Sequence, residues 1–162
     1  MIFKRSFWNS LSNFFLVVIK WITLWLWGGF IYYCMELIYR KFSFPSMFVV
    51  GGICFLIINF INKYLPWRMN FFLQCVIGAV CVTIIEFISG LILNVWLKWD
   101  IWDYSDISIN ISGHNIPLHI MGQICVPFMI IWLFPVALGI LLSDVLNWKL
   151  FNEQKPTYSI QI

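Results

Sequence analysis

The feature that most constrains this chain is an apolar run from Phe71 to Leu97 whose only charged residue is Glu86. A helix needs about 20 predominantly apolar residues to cross a bilayer core that is roughly 30 Å thick, and this run is longer than that. Soluble domains contain about 25% charged residues, whereas here 10% are charged and 62% are hydrophobic. The sequence therefore predicts an integral membrane protein and argues against a soluble enzyme.

Three more apolar runs accompany the first, at Trp21 to Tyr39, Met47 to Ile61 and Ile124 to Leu142. The run from Met47 is short for a span, so it crosses only if its flanking side chains reach the interface or the membrane thins locally. The pattern predicts an all-α bundle of about four transmembrane helices, or three if Met47 to Ile61 does not span. A re-entrant or interfacial piece at Pro117 to Gln123 is expected before the last span.

The runs divide the chain into three parts. Residues 1–20 carry apolar side chains at helical spacing and are predicted to form an amphipathic helix at the membrane interface. Residues 21–143 form the transmembrane bundle and include a polar outer loop at 98–116. Residues 144–162 are expected to be a cytoplasmic C-terminal tail.

The basic residues predict how the bundle is oriented. Four spans put both termini on one side, together with seven of the basic residues: Lys4, Arg5, Lys20, Lys63, Arg68, Lys149 and Lys155. The other side holds Arg40, Lys41 and Lys98. Because cytoplasmic loops carry the excess of Lys and Arg, both termini are expected in the cytoplasm. The outer loop would then place Trp99, Trp102 and Tyr104 at the headgroups and its Asp side chains in water.

Glu86 is the most informative single residue. An ionised carboxylate in mid-membrane costs at least a few kcal/mol, so it needs a partner or a proton. On a helix it shares one face with Cys75, Ala79, Val82 and Gly90, which predicts that it faces the bundle interior. It is either a proton or cation site, or a protonated carboxyl that serves packing.

Glu36 is a second acidic residue within a predicted span, near the outer end of the first one. It precedes Arg40 by four residues, which is the favourable order for an ion pair on a helix. A structural role in that ion pair is favoured over an ion or proton site.

The outer loop holds the acids and histidines that a metal site would need: Asp100, Asp103, Asp106, His114 and His119. Their spacing matches no established metal-binding template, and acids alternating with Trp are more typical of a solvated interfacial turn. No metal and no cofactor are expected. The sequence contains no glycine-rich phosphate loop and no basic patch for nucleic acid.

The order of polar residues resembles a bacterial membrane family, the Putative ABC-transporter type IV (CmpB-like) family. The residues that carry the resemblance are Glu36, Glu86, Trp102-Asp103-Tyr104-Ser105, Asn110, Gly122-Gln123-Ile124-Cys125 and Trp132. The chain differs from the family pattern at Ile111 to Met121, which looks like an insertion. The resemblance implies a multi-pass protein of the bacterial cell membrane.

Two functions of different classes follow. The first is a permease-like or transporter-like subunit, which as a bundle of four helices would need to form a homo-oligomer or join a partner membrane subunit. The second is a non-transporting scaffold, sensor or holin-like protein whose loop binds lipid or protein. A membrane-embedded enzyme that uses the loop acids and histidines is the least favoured, so no enzymatic activity is expected.

Overall fold

The structure is a computed structural model that describes residues 2–66 and 69–158, with side chains from residue 14 onward except at position 62. The predicted amphipathic face of residues 1–13 and the position of Arg68 lie outside the described residues. α1 is Ile2–Arg40, α2 is Pro45–Tyr64, α3 is Phe71–Gly90, α4 is Val126–Ile131 and α5 is Leu133–Phe151. A π-helical segment, Leu91–Trp96, continues α3.

The helices form the all-α membrane bundle that the sequence predicts. Three of them are long and apolar enough to cross a membrane, namely Phe14–Arg40, Phe71–Trp96 and the combined α4 and α5 at Val126–Phe151. A shorter apolar helix, Pro45–Ile61, corresponds to the weak second run. The last helix continues to Phe151, well beyond the predicted end at Leu142, because the apolar periodicity persists on both sides of Asp144.

α2 is the centre of the bundle and packs against α1, α3 and α5. Glycines allow α1 and α2 to approach closely, since a Cβ at Gly28 would overlap Phe55 and a Cβ at Gly51 would overlap Tyr32. Small residues at helix contacts are how membrane helices gain van der Waals packing without a hydrophobic driving force. The close contact fixes the position of Tyr32, which matters for the site described below.

The buried face of α3 is the one predicted from its periodicity. Cys75, Ala79, Val82 and Gly90 are all buried, and Glu86 is buried with them. This face packs on α2 and α5. Glu86 therefore points into the bundle and not towards lipid.

The loop between α3 and α4 contains two small hairpins that the sequence analysis did not predict. β1 (Ser108–Ile111) pairs antiparallel with β2 (His114–Pro117) through a two-residue turn, Ser112-Gly113. Both turn residues have positive φ, 52° and 85°, which matches the twist that tight hairpins require. All eight strand residues are exposed, in agreement with the expected solvated loop.

The second hairpin leads the chain back to the bundle. β3 (His119–Ile120) pairs with β4 (Ile124–Cys125), so the segment expected to be re-entrant or interfacial is a strand and a turn. Met121 and Gly122 both have positive φ in that turn. Cys125 then precedes Pro127, which lies in the first turn of α4, where a missing N–H costs no helical hydrogen bond.

The bundle has two distinct ends. The loop end holds Arg40, the π-helical segment and both hairpins. At the opposite end, the tail end, Lys20 pairs with Glu153 and the Asn147 amide donates to Asn59 Oδ1 at 2.5 Å. Tyr158 also folds back there and donates to Asp144 Oδ2 at 2.7 Å. Lys20 and the residues after α5 therefore lie at the same end of the bundle.

A candidate ligand cavity around Glu86

The Glu86 carboxyl is 6% exposed and accepts two hydrogen bonds from distant parts of the chain. The Tyr104 hydroxyl donates to Oε1 at 3.0 Å, and the Trp132 indole N–H donates to Oε2 at 2.8 Å. An indole nitrogen is a donor only, so Oε2 must offer a lone pair. Tyr104 comes from the loop and Trp132 from the junction of α4 and α5, so Glu86 ties both to α3.

Each of these donors belongs to a stacked pair of aromatic rings. Trp132 stacks on Tyr32 of α1, with ring centroids 5.8 Å apart and planes at 16°. Tyr104 stacks on Phe128 of α4, at 4.8 Å and 26°. Burial and the Glu86 carboxylate raise the pKa of the Tyr104 phenol well above its ordinary value. The phenol therefore keeps its proton and remains a donor to Glu86.

The two aromatic pairs and Glu86 line a cavity of about 540 Å³ at the loop end of the bundle. Its walls come from α1, from Met47 at the start of α2, from the end of α3, from the loop and from α4 and α5. Other lining residues include Met35, Glu36, Arg40, Asp103 and Ile131. A smaller apolar pocket of about 100 Å³ shares four of the lining residues, Tyr32, Met35, Trp132 and Pro135, and extends towards Val82 and Val136.

A helix break places Trp132 in this cavity. Pro135 has no N–H to give to the carbonyl four residues earlier, and the helix is interrupted at Trp132 between α4 and α5. Neighbouring backbone bonds compensate, since Trp132 N–H donates to the Phe128 carbonyl at 2.9 Å and Val136 N–H donates to the Trp132 carbonyl at 3.0 Å. The indole that donates to Glu86 therefore lies at the junction of the two helices.

Glu36 and Arg40 form the ion pair that their spacing predicts. Arg40 Nη2 donates to Glu36 Oε1 at 2.7 Å, and the Ser43 hydroxyl donates to Glu36 Oε2 at 2.6 Å. Arg40 Nη1 also donates to the Ile101 carbonyl at 2.8 Å, which ties α1 to the loop. The guanidinium charge at the cavity is therefore already paired.

Asn94 holds the loop against the end of α3, and the sequence analysis did not identify it. Its amide nitrogen donates to the Trp102 carbonyl at 2.9 Å and to Gln123 Oε1 at 2.8 Å, and its oxygen accepts from Ile101 N–H at 2.8 Å. The Trp102 indole donates to the Gln123 carbonyl at 2.9 Å. A Cβ at Gly90 would overlap the Gln123 side chain, so glycine is needed where the loop meets α3.

The Trp102-Asp103-Tyr104-Ser105 motif divides into two faces. Asp103 is exposed as predicted, and its Oδ1 accepts from Ser105 N–H at 2.9 Å and from Ser105 Oγ at 2.6 Å. These bonds hold the pKa of Asp103 below its ordinary value of 3.8. Trp102 and Tyr104 instead fold inward to Gln123 and Glu86. Of the three aromatics expected at the headgroups, Trp99 alone is mostly exposed, at 54%.

Gly122 explains part of the motif that follows the loop. It has a φ of 69°, and a Cβ there would overlap Asp103 and Ser105. Its carbonyl accepts from Tyr104 N–H at 2.8 Å, so the turn and the motif support each other. Cys125 is buried directly behind this turn.

The remaining predicted residues lie away from the cavity. Asn110 is exposed in β1, where it bonds Asn115 and Gly113. Asp100, Asp106 and His114 are exposed, and His119 Nδ1 accepts from Gly122 N–H at 3.1 Å. Within residues 2–66 and 69–158, no three His, Cys, Asp or Glu side chains are grouped as a metal site would require.

Polar residues at the tail end were also missed. Asn59, Asp144 and Asn147 are buried and lie beside Lys20, Lys63 and Glu153 around a second, polar pocket of about 290 Å³. Asp144 was assigned to the tail because the last span was predicted to end at Leu142. The sequence feature that could have predicted this pocket is the spacing of Asp144 and Asn147, which places both on one face of a helix.

The fold and the cavity together define an all-α membrane protein in which a buried carboxyl and aromatic rings face an internal space between helices. The chain belongs to the family described as Putative ABC-transporter type IV, whose sequence profile matches residues 14–160. The match confirms the predicted family resemblance. No curated protein and no solved structure matches the chain.

Proposed function

We propose that this chain is the membrane-embedded, permease-like subunit of a transporter, and that a small solute binds in the cavity around Glu86. The observation that carries the proposal is the cavity of about 540 Å³ that holds a buried, hydrogen-bonded carboxyl between membrane helices. Ligand sites are typically concave, mostly apolar and equipped with a few placed polar groups. The family name supports a transport role.

The walls of the cavity suggest how a solute enters. Tyr39 on α1 and Phe128 on α4 meet edge to face at 6.4 Å, and both line the cavity. Few residues of α1 and α5 contact each other, so little packing opposes separation of these two walls. A small shift of α1 against α4 and α5 would open the cavity laterally.

Transport by this chain would need more than one bundle. We infer that it works as a homo-oligomer or beside a partner membrane subunit in the bacterial cell membrane, with both termini in the cytoplasm. The sequence contains no phosphate-binding loop, so an energy source based on nucleotide would come from another chain.

The proposal is tested by filling the cavity. Ile131 lines it and its neighbour Ile130 does not, while the two side chains are similarly exposed, at 56% and 63%, so Ile131→Trp and Ile130→Trp are matched variants. Cells that produce the parent chain should differ in at least one small solute from cells with an empty vector, by mass spectrometry of cells and medium. Ile130→Trp should preserve that difference and Ile131→Trp should remove it. Identical profiles for parent and vector would refute the transport role.

A second candidate function is a non-transporting scaffold or sensor. Ile109, Ile111 and Ile116 share one face of the β1–β2 hairpin and are each more than 40% exposed. Such a face suits contact with lipid or another protein. If serine at these three positions abolished function while Ile131→Trp did not, this candidate would be preferred.

A further inference from the structure

The chemistry of the cavity walls indicates which class of solute fits. We propose that the cavity binds a monovalent organic cation with an apolar body, and that the cation replaces a proton at the Glu86 carboxyl. This proposal rests on the proposed function and adds the substrate class and the coupled ion.

The first argument is charge. Three carboxyl groups and one guanidinium line the cavity, namely Glu36, Glu86, Asp103 and Arg40. Arg40 is paired with Glu36 and with a backbone carbonyl, so no unpaired cation among the described lining residues awaits an anion. Glu86 receives hydrogen bonds from neutral donors only. A positively charged ligand would therefore meet attraction, and an anion would meet repulsion.

The second argument is the aromatic surface beside that carboxyl. Tyr32, Trp132, Tyr104 and Phe128 line the cavity as two stacked pairs on either side of Glu86. The faces of aromatic rings attract cations, and sites of this kind bind quaternary ammonium groups. An apolar body would contact Met35, Ile131 and Pro135. The same cavity thus offers contacts to both the cationic group and the apolar body of such a ligand.

The third argument concerns the proton. An empty cavity would leave an ionised Glu86 buried between the helices of a membrane protein, which is costly, whereas a bound cation would neutralise it. Proton and cation therefore compete for one carboxyl. On binding, the O–H bond of the carboxylic acid breaks, the electron pair stays on the carboxylate, and one proton goes to water.

The carboxylate can accept the cation without losing its present bonds. An ionised carboxylate has about four acceptor positions, and Tyr104 and Trp132 occupy two of them. The Glu86 charge acts on Tyr32, Cys54, Tyr104 and Cys125, and the other titratable groups that line the cavity are Glu36, Tyr39, Arg40 and Asp103. Of the two other carboxylates, Glu36 is paired with Arg40 and Asp103 is exposed to water.

The test uses two probes of the same shape and opposite charge, tetraphenylphosphonium and tetraphenylborate, with purified protein immobilised in detergent. We expect saturable binding of the phosphonium and none of the borate. Glu86→Gln keeps the size, can still accept from Trp132 and can donate to the Tyr104 hydroxyl, but it cannot ionise, so it should weaken phosphonium binding at least tenfold. Asp106→Asn, which removes an exposed carboxylate outside the cavity, should leave it unchanged.

A second variant and a proton measurement complete the test. Phe128→Leu removes a ring that makes no bond to Glu86, and it should weaken phosphonium binding several-fold. In weakly buffered solution, phosphonium binding should release one proton per site from the parent and none from Glu86→Gln. Below the pKa of the competing carboxyl, the apparent Kd for the phosphonium should rise about tenfold for each unit by which the pH falls. Size-exclusion profiles identify any variant that has not folded.

The outcomes separate the two proposals. Equal binding of both probes, unchanged binding in Glu86→Gln or binding without proton release would refute the cation assignment. The transport proposal would still stand if Ile131→Trp altered the solute profile. Conversely, selective cation binding with no effect of the chain on any solute would uphold the site and refute transport.

Discussion

The indole of Trp132 donates to Glu86 Oε2 at 2.8 Å across 46 residues of sequence. This bond joins the last part of α3 to the junction between α4 and α5. It therefore couples the only charged residue of α3 to the junction between the two helices of the last span. The two residues lie on the wall of one cavity, so any ligand there contacts both.

Trp132→Phe keeps a ring against Tyr32 and removes the N–H. Glu86 then loses a donor in a buried setting, and we expect the free energy of unfolding to fall by about 1.5–3 kcal/mol. Thermal unfolding in detergent measures the change. Trp96→Phe is the control, because Trp96 is 76% exposed and surface changes usually stay within about 0.5 kcal/mol. Equal melting of both variants would mean that the Trp132 bond adds no stability.

The inward face of α3 could be predicted from the sequence because apolar and small residues recur with the helical period around Glu86. The Glu36–Arg40 pair followed from spacing alone. Both are local properties of one helix. The partners of Glu86 could not be derived in this way, because Tyr104 and Trp132 approach it only after the loop has folded back.

The loop shows a similar limit. Asp and Trp residues beyond a long span are typical of an interfacial turn, and Asp103 and Trp99 are indeed exposed. Trp102 and Tyr104 differ because Asn94 and Gln123 draw the chain against α3. Asn94 belongs to the π-helical segment Leu91–Trp96. A search for the α-helical repeat of 3.6 residues per turn does not reveal such a segment.

Asn94→Ala tests that contact directly. The change leaves the Ile101 N–H, the Trp102 carbonyl and Gln123 Oε1 without their partner, and we expect a loss of about 3 kcal/mol or more in the free energy of unfolding. Asn110→Ala, in the exposed β1 strand, should cost much less. The comparison is made by denaturant unfolding in one detergent. A mild effect at Asn94 would show that the loop is held by other contacts.

Tyr158 makes the tail end sensitive to high pH. Burial, followed by the hydrogen bond to Asp144, raises the pKa of its phenol above the ordinary 10.0. A raised pKa means that the folded state holds the proton more tightly, so this stabilisation is complete below pH 10.0 and is lost as pH rises towards the folded pKa. The melting temperature of the parent should therefore fall more between pH 8 and pH 10.5 than that of Tyr158→Phe. Parallel plots of melting temperature against pH for the two proteins would contradict this role of Tyr158.

The orientation of the bundle in the membrane is a separate prediction, because the structure shows that Lys20 and Glu153 share one end of the bundle but not which end faces the cytoplasm. Reporter fusions after Lys41, Lys63, Asn110 and Phe151 should report outside, inside, outside and inside. The reason is the excess of basic residues at the tail end. A cytoplasmic signal from the Asn110 fusion would reverse the assignment.

Glu86→Lys tests the placement of the carboxyl itself. An ammonium at this position would face the Tyr104 hydroxyl and the Trp132 N–H as a third donor, and it would bury an uncompensated charge. We expect loss of a monodisperse protein on size exclusion. Glu86→Gln is the matched control, because it retains the size, its amide oxygen can accept from the Trp132 N–H and its NH2 can donate to the Tyr104 hydroxyl, so it should assemble and melt close to the parent. Normal assembly and melting of Glu86→Lys would require that position 86 reaches water or the interface. The placement of Glu86 in a buried wall of the cavity would then be wrong.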